Sequence, residues 1–291
     1  MIKTRKTNRP IVDGDHERGA LAPAVLKAVR ILDLLAASPG KPKPLSDIAR
    51  ELGIAKSSTS NLCASLEDGG LIRRTDTGFL LGRRVVELGS AYLAGFDQIR
   101  EFYRICEESA VLRRQLVQIA MLDGVRVLYL AVFEGRERFP LSASVGDRYP
   151  ASATAVGTAL LAELDPERIA ELFREPSYLV SLTNRSTVDL PTLQAKLELT
   201  RSQGYAVDDG EVHLSVLGLA TLVPSTREGE PSFAIGVSLV HPSDTVQERA
   251  MVLEAIRSAA AELSRPVLVT HAEAASPAIK IDLNSDSAER G

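Results

Sequence analysis

The sequence predicts an α+β protein of two domains, in which a small helical domain precedes a larger domain of mixed helices and strands. Three observations support this prediction. The chain has 291 residues, a usual length for two domains. Apolar residues recur at helical spacing in the first third, whereas helical and strand patterns alternate after residue 97. The first third is also basic, and the remainder is acidic.

The composition is that of an ordinary soluble globular protein, with 45% apolar and 25% charged residues. No apolar run approaches the roughly 20 residues that a membrane helix needs, and the basic N-terminus lacks the apolar stretch of a secretory signal. The two cysteines, Cys63 and Cys106, indicate no disulfide framework, and no metal-ligand spacing appears among the Cys and His residues. We therefore expect a cytoplasmic protein without metal or other cofactor.

The N-terminal segment, residues 1–21, shows no periodicity and carries four basic side chains between positions 3 and 9. We predict a disordered basic arm, which is either a solubilising tail or an arm that touches phosphate or the minor groove. From Val25 to Ala36 the apolar positions follow helical spacing, and Ser38-Pro39-Gly40 ends the pattern. This segment supplies a first helix.

The stretch from Leu45 to Ile72 carries the most informative local pattern. Its apolar residues form two short helical faces that Gly53 separates. Ser46 can cap the first helix, and Gly69-Gly70 ends the second. This arrangement is typical of a helix-turn-helix, although an ordinary helical hairpin with a solvated face is the alternative. The outward residues of the second helix, small and polar enough to approach base edges, are Lys56, Ser57, Ser58, Ser60, Asn61 and Ser65.

The residues that follow favour DNA binding. Leu71 to Arg74 and Phe79 to Leu81 read as two short strands around a turn, which is the wing of a winged helix. Its paired Arg73 and Arg74 suit phosphates. Charge supports this interpretation, because residues 1–84 contain 15 basic and 9 acidic side chains, a balance of +6. The remaining 19 basic and 29 acidic side chains give −10, so the positive charge lies with the predicted helix-turn-helix.

A helix from about Arg83 joins the wing to the second domain. Its apolar stripe, which includes Val85, Leu88 and Tyr92, packs either against its own domains or against a second copy. Recognition helices normally work in symmetric pairs, so we favour a dimer contact near this helix.

Strand and helix patterns alternate beyond Asp97. We predict a helix over Ile99 to Gln115, a hairpin around Asp123-Gly124 and a strand over Phe139 to Val145. A loop over Gly146 to Ala153 leads into an Ala-rich helix. The further expected elements are helices at Pro166 to Phe173, Leu190 to Gln203 and Val246 to Leu263, and strands at Leu217 to Val223 and Phe233 to Val240. This order indicates a mostly antiparallel sheet with flanking helices.

Two stretches of the second domain are candidate sites. GYAVDDGE, which starts at Gly204, could supply Asp208 or Glu211 as an acid or base beside His213, or it could be a solvated acidic turn. The start of the Ala-rich helix could bind an anion through backbone N–H groups and the hydroxyls of Ser152 and Thr154. A simple helix cap is the alternative there. The sequence shows no nucleophile with a base, phosphate loop or metal cluster, which argues against an enzyme.

The chain resembles the IclR family of bacterial transcriptional regulators from about Ala22 to Pro266. The resemblance rests on four motifs in the right order, LSDIARELGIAKSSTSNL, FLLGRRVVELG, TAVGTALLAEL and GYAVDDGE. It implies a winged helix-turn-helix at residues 22–82, a linker helix at 83–97 and a GAF-like α/β effector domain with an antiparallel sheet at 98–266. A disordered tail would occupy residues 267–291.

The resemblance also implies a function. Members of the family bind pseudo-palindromic operators as dimers or dimers of dimers, sense small carboxylic or aromatic acids, and repress or activate transcription. The family's effector pocket falls on Ala155 and Val156, through their backbone, and on Asp208, Gly218, Gly236 and Ser238. The alternatives are an enzyme with an accessory DNA-binding domain and a constitutive DNA-binding protein whose second domain only dimerises.

The sequence departs from the family pattern at several of these positions. The family often has Cys at the Gly218 position and Ser at the Gly236 position, and it commonly has His-Cys where this chain has Ser152-Ala153. These departures predict a roomier pocket, suited to an effector larger or more apolar than a two- or three-carbon oxoacid. In the recognition helix, Ser60-Asn61 stands where the family commonly carries a bulky or basic pair.

Overall fold

The computed structural model describes residues 22–135, 143–225, 229–240 and 245–265. The predicted basic arm and the predicted C-terminal tail both lie outside the described residues.

The N-terminal domain consists of three helices followed by a hairpin. The helices are α1 (Pro23–Ala36), α2 (Leu45–Leu52) and α3 (Lys56–Asp68), and the hairpin strands are β1 (Ile72–Thr75) and β2 (Gly78–Leu81). They share one apolar core, in which Ile31, Ile48 and Cys63 are fully buried. The predicted helix-turn-helix and the hairpin after it are both present.

The start of α2 differs from the prediction that Ser46 caps it. The helix begins at Leu45, the preceding Pro44 has an extended backbone, and no side chain accepts a capping hydrogen bond. Because Pro44 occupies the position before the first helical residue, Ser46 lies inside the first turn. At the other end Gly53 adopts a left-handed conformation with φ +66°, which lets the chain turn sharply into α3.

The hairpin is anchored on the segment before α2. The Lys43 amide donates to the Phe79 carbonyl at 3.0 Å, and the Phe79 amide donates to the Lys43 carbonyl at 2.8 Å. Gly78 has φ +150°, and a Cβ there would overlap the Lys43 backbone and lie 2.7 Å from the Pro44 nitrogen. The wing therefore has a fixed position relative to α2 and α3.

Two helices join the domains, α4 (Arg84–Ala94) and α5 (Asp97–Glu108). The predicted helix over Ile99 to Gln115 is wrong at its C-terminal end, because α5 stops at Glu108 and a short 3-10 turn follows at Leu112–Arg114. Ser109 causes the break. Its backbone is extended, and its hydroxyl accepts a hydrogen bond from the Leu112 amide at 3.2 Å, so it starts the next turn instead of continuing the helix.

The second domain is built on one sheet of six antiparallel strands. In chain order they are β3 (Leu116–Asp123), β4 (Arg126–Glu134), β5 (Arg148–Pro150), β6 (Ala206–Asp209), β7 (Val216–Val223) and β8 (Phe233–Val240). Across the sheet the order is β5-β4-β3-β8-β7-β6. The remaining helices are α6 (Ala155–Leu161), α7 (Pro166–Leu172), α8 (Leu190–Gln203) and α9 (Val246–Leu263). This arrangement confirms the predicted α+β fold class.

Helices cover both faces of the sheet. On one face α5 and α9 bury an apolar core around Phe102, Ile119 and Ile256. On the other face α6 lies across the central strands and α8 packs behind it, around Leu161 and Leu193. Strands β3, β7 and β8 contact both cores. This explains why their sequences are nearly continuous apolar runs and why they are buried on both faces.

Two short strands lie where the sequence predicts other structure. β5 falls in the predicted loop over Gly146 to Ala153, and the predicted strand over Phe139 to Val145 is not formed at its described positions, 143–145, while residues 139–142 lie outside the described residues. β6 falls inside the GYAVDDGE motif. It pairs with β7 at the sheet edge, so backbone pairing buries a segment whose charges predict exposure.

Candidate functional site

The outer face of α3 is polar and open to solvent. Lys56, Ser57, Ser58, Ser60, Asn61 and Ser65 are all exposed. The opposite face holds Thr59, Cys63 and Leu66 in the core of the domain. Ser65 is partly engaged, since its hydroxyl donates to the Asn61 carbonyl at 3.1 Å. The structure therefore places all six predicted residues on one surface.

The two arginines of the wing lie in different environments. Arg74 is 3.2 Å from the Glu67 carboxylate of α3, and its guanidinium carbon is 4.6 Å from the centre of the Phe79 ring. Arg74 thus connects the wing to the helix as well as facing solvent. Arg73 alternates with it along β1 and is exposed. Because of this difference, Arg73 is the better suited of the two to reach a phosphate.

The predicted effector residues come together on the α6 face of the sheet. Strand pairing aligns Ser238, Gly218 and Asp208 in one row, from β8 through β7 to β6. The neighbouring row pairs Gly236 with Gln118 of β3. The beginning of α6 covers these rows, so Ala155 and Val156 complete a compact group that we call the effector seat. Its members are Gln118, Ala155, Val156, Asp208, Gly218, Gly236 and Ser238.

The glycines of the effector seat do not provide the extra room predicted from the sequence. A Cβ on Gly236 would lie 2.7 Å from Val156 Cγ1, and a Cβ on Gly218 would lie 3.2 Å from Ala155 Cβ. Side chains of α6 therefore occupy the space that larger residues on β7 and β8 would take. The prediction of a roomier pocket is therefore wrong for this arrangement.

Asp208 is the charged group of the effector seat, and it is 4% exposed. Burial raises the pKa of its carboxyl to about 7, although the Glu211 amide donates to its Oδ1 at 2.6 Å and opposes the shift. Burial therefore favours the protonated form of this carboxyl up to a higher pH than for an exposed aspartate. A buried acid in this state is able to donate or accept a hydrogen bond.

The hydroxyls before α6 have different roles. Thr154 caps the helix, because its Oγ1 accepts from the Gly157 amide at 3.1 Å, so the helix-cap reading holds for this residue. Ser152 is fully buried, and its hydroxyl has no hydrogen-bond partner among the residues that the structure describes. A buried hydroxyl without a hydrogen bond destabilises the fold unless a ligand or water bonds to it. Ser152 is therefore an available hydrogen-bond donor beside the effector seat.

The charged part of the GYAVDDGE motif is buried and bonded. Glu211 Oε2 accepts from the Thr187 amide at 2.9 Å and from the Thr187 hydroxyl at 2.8 Å. The Lys196 ammonium donates to Glu211 Oε1 and, at 2.9 Å, to the Ser152 carbonyl. The interpretation as a solvated acidic turn is therefore wrong for Asp208 and Glu211. His213 accepts instead from the Ser215 amide at 3.2 Å, so the proposed acid–base pairing with these carboxylates is not formed.

Sequence reasoning missed two residues of this region. Gln118 is buried, and its only sequence signal is a polar residue inside the apolar run LVQIAML. Lys196 lies on α8, and nothing in the sequence indicates its role. Its partner Glu211 is 15 residues further along the chain, beyond β6. Among the described residues no group of three or more His, Cys, Asp or Glu side chains is arranged to hold a metal ion.

The linker contacts the sheet at the ends of the same central strands. The Tyr92 hydroxyl of α4 donates to the Met121 sulfur of β3 at 3.3 Å. Tyr92 also meets Phe96 edge-on at 5.2 Å, and Phe96 meets Phe233 of β8 at 5.3 Å between ring centres. Met121 and Phe233 are themselves paired across the two strands. The linker is thus attached three residues along β3 and β8 from the Gln118 and Gly236 pair of the effector seat.

Comparison with known proteins gives the family. The model of the IclR C-terminal domain of bacterial transcriptional regulators matches residues 90–265, and the model of the IclR helix-turn-helix domain matches residues 24–76. The chain belongs to the IclR family. It is therefore a transcriptional regulator with a DNA-binding helix-turn-helix and an effector domain, and the enzyme alternative is excluded.

A curated relative agrees with this assignment, and two solved structures share the fold. The chain is 27% identical over 270 residues to the HTH-type transcriptional repressor AllR of Escherichia coli K12, covering 91% of this chain and 97% of AllR. The fold resembles an IclR transcriptional regulator from Alicyclobacillus acidocaldarius, with 22% identity, 84% and 98% of the two chains covered, and a TM-score of 0.73. It also resembles an IclR homologue from Microbacterium hydrocarbonoxydans complexed with 4-hydroxybenzoate, with 24% identity, 83% and 97% coverage, and a TM-score of 0.69.

None of the described helices has the length and apolar character that spanning a bilayer requires.

Proposed function

We propose that this chain is a ligand-responsive regulator that binds a pseudo-palindromic operator as a dimer or a dimer of dimers in the bacterial cytoplasm. The polar face of α3 beside a fixed wing is the observation that carries the proposal. Small exposed side chains there can approach base edges while the wing reaches the backbone. The effector domain supplies the response to a small molecule.

The proposed DNA contacts divide into two kinds. Ser57, Ser58, Ser60 and Asn61 face the bases, and Lys56 and Arg73 bind phosphates. The beginning of α3 favours a phosphate too, because no side chain caps it and its first amides are available. Arg74 and Ser65 belong to the same surface. Arg74 also forms an ion pair with Glu67, which links the wing to α3.

Asn61→Ala should relax base preference at one position of each half-site. An Asn amide can bond both N6 and N7 of adenine, a contact worth about 1–3 kcal/mol of discrimination. On DNA selected from a random library, we expect the variant to lose affinity for the preferred sequence while its affinity for random duplex is nearly unchanged. Fluorescence anisotropy with both duplexes measures the two affinities.

Arg73→Ala is the matched comparison, since this side chain is exposed on the wing and assigned to phosphate. It should weaken binding to selected and random DNA by the same factor and reduce the steepness of the salt dependence. Equal losses on both duplexes for Asn61→Ala would contradict its assignment to base reading.

We propose that α1 and α4 form the dimer contact. Val25 and Val29 of α1 and Leu88 of α4 are exposed apolar side chains, and among the described residues of α4 none is fully buried. A helix that leaves apolar side chains exposed is suited to pair with a copy of itself. Symmetric pairing through these helices would also place two copies of α3 on one face of DNA.

The proposed effector is a small carboxylic or aromatic acid. The effector seat offers the first amides of α6, the unpartnered Ser152 hydroxyl and the Asp208 carboxyl, all of which can bond a carboxylate. The complex of the Microbacterium homologue makes 4-hydroxybenzoate a reasonable first probe. Because α6 lies close to Gly218 and Gly236, the acid would bind by separating the helix from the sheet.

Binding of 4-hydroxybenzoate should weaken as the pH rises through about 7. The pKa of Asp208 is raised to about 7 in the folded chain, so the neutral carboxyl that donates to an anion prevails below that pH. Above it the ionised carboxylate repels the anion, and affinity should fall about tenfold per pH unit. The same raised pKa makes the folded chain less stable as the pH rises toward 7, because the unfolded chain releases this proton earlier.

Calorimetry between pH 6 and pH 8 measures this dependence. Asp208→Asn is the control, since an amide keeps the acceptor for the Glu211 amide but does not titrate. Its affinity should be constant over the range. A wild-type affinity that does not change between pH 6 and pH 8 would contradict the role given to Asp208.

The two halves would be coupled by linkage. The effector seat and the attachment of the linker lie on the same pair of strands, β3 and β8. An acid that binds better to one arrangement of these strands and α6 favours the corresponding position of Tyr92 and Phe96. The spacing of the paired recognition helices, and hence operator affinity, then changes by the same free energy.

A further inference from the structure

Three loops surround the beginning of α6, and none of them has regular structure to hold it in place. They are residues 151–154 before α6, 183–187 before α8 and 210–215 after β6. The first contains Ser152, and the last directly follows Asp208 and Asp209 at the end of β6. The effector seat keeps its geometry only if something fixes these loops relative to one another.

Glu211 bonds to two of the loops at once. Its carboxylate accepts from both the amide and the hydroxyl of Thr187, and its carbonyl accepts from the Ser186 hydroxyl at 2.7 Å. Its amide donates to Asp208 Oδ1 at 2.6 Å. The third loop is attached through Lys196 of α8, whose ammonium bonds both Glu211 Oε1 and the Ser152 carbonyl.

The pair is largely removed from water. The side chains of Lys196 and Glu211 are 15% and 11% exposed. Buried ion pairs add little net stability, because the loss of hydration offsets their attraction, and well-packed neutral residues often replace them without loss. Such a pair does fix the relative orientation of the groups that it joins, since each of its hydrogen bonds has a defined partner and angle. Its arrangement across three loops therefore indicates a positioning role.

We propose that Lys196 and Glu211 are positioning residues that form a latch holding the effector seat ready for its ligand. This inference rests on the proposed function, because it assigns the binding of a small acid to that seat. The latch fixes Ser152 on one side and Asp208 on the other. With the latch open, both groups lose their alignment, although the sheet and its two cores remain in place.

The test uses the full chain with both partners neutralised, Lys196→Met with Glu211→Gln. Single substitutions would leave a buried charge unpaired and could unfold the domain, whereas the double variant removes both charges together. Arg168 and Glu171, an exposed ion pair on α7, provide a matched control as Arg168→Met with Glu171→Gln. Thermal unfolding confirms that each variant is folded before the two measurements below.

The first measurement is hydrogen exchange without any ligand. In the latch variant, amides of residues 151–157 and 183–187 should exchange at least tenfold faster, while those of β7 and of the N-terminal domain keep their rates. The control variant should match the wild type throughout. Unchanged exchange in both segments of the latch variant would overturn the proposal, whatever the effector is.

The second measurement is binding of 4-hydroxybenzoate and of glyoxylate by calorimetry. For whichever acid the wild type binds, the latch variant should lose at least tenfold in affinity, and the control should lose none. Undiminished affinity in the latch variant would overturn the positioning role. If the wild type binds neither acid while exchange rises as expected, the latch stands and the proposed effector class fails, so the two failures are distinguishable.

Discussion

Raising the salt concentration from 50 to 200 mM should lower the affinity of this regulator for its operator by about 10³–10⁵-fold. Lys56 and Arg73 lie on the proposed DNA surface of each protomer, and the amides at the start of α3 add a further phosphate contact. A dimer with about 6–10 phosphate contacts releases a corresponding number of counterions, so the logarithm of the affinity falls linearly with the logarithm of the salt concentration.

Anisotropy titrations at four salt concentrations give this slope. The overall charge of −4 predicts no such attraction, so a steep slope would show that the basic first third acts separately from the acidic remainder. Binding of 4-hydroxybenzoate, a single anion in a buried seat, serves as the control and should change far less. A loss of operator affinity below tenfold over this range would contradict the proposed phosphate contacts.

Leu88→Glu should separate the dimer and weaken operator binding by about 10²–10⁴-fold. Leu88 is 52% exposed on α4, whose C-terminal end packs on the sheet through Tyr92 and Leu93. A charge there would be buried without a partner in the paired state, and the separated protomers would lose the advantage of binding two half-sites together. Sedimentation measures the association, and anisotropy measures the affinity.

Ser90→Glu is the matched control, because it places the same charge on the same helix about 200° around the axis. Its side chain is exposed, and we expect the dimer and the operator affinity to remain close to those of the wild type. A Leu88→Glu variant that stays dimeric with full affinity would place the dimer contact elsewhere.

The elements that the sequence predicted well are those with strong local signals. The spacing of Leu45, Ile48 and Leu52 is helical whatever surrounds it, and Gly53 can end that helix because glycine adopts the left-handed conformation. The hairpin at Asp123-Gly124 is likewise determined by its turn, where Gly124 has φ +60°. Local chemistry decided these elements, so no knowledge of distant residues was needed.

The elements that were missed depend on hydrogen bonds that the local sequence pattern does not reveal. β6 contains Asp208 and Asp209, which favour exposure, and it becomes a strand only because β7 pairs with it. The helix predicted beyond Glu108 ends at Ser109 because that hydroxyl caps the following turn. In both places hydrogen bonds made in the folded chain outweigh what the local sequence pattern predicts.

The candidate site likewise combines features that the sequence predicted with features that only the folded chain shows. The resemblance to the family predicted six effector residues, and the structure brings these six onto one face. It could not show that α6 fills the space above Gly218 and Gly236, because that depends on how closely a helix packs on a sheet. Nor could it pair Lys196 with Glu211, since one lies on α8 and the other follows β6.

Selection of DNA from a random library by the full chain tests the central claim most directly, because it requires no knowledge of the operator. A dimer with paired recognition helices should enrich two half-sites related by twofold symmetry, with centres about one helical turn or a multiple apart. Substituting Asn61 with Ala should relax one base pair in each half-site of the enriched sequence. Enrichment of a single unsymmetrical site, or binding without any enrichment, would contradict a dimeric, sequence-reading regulator.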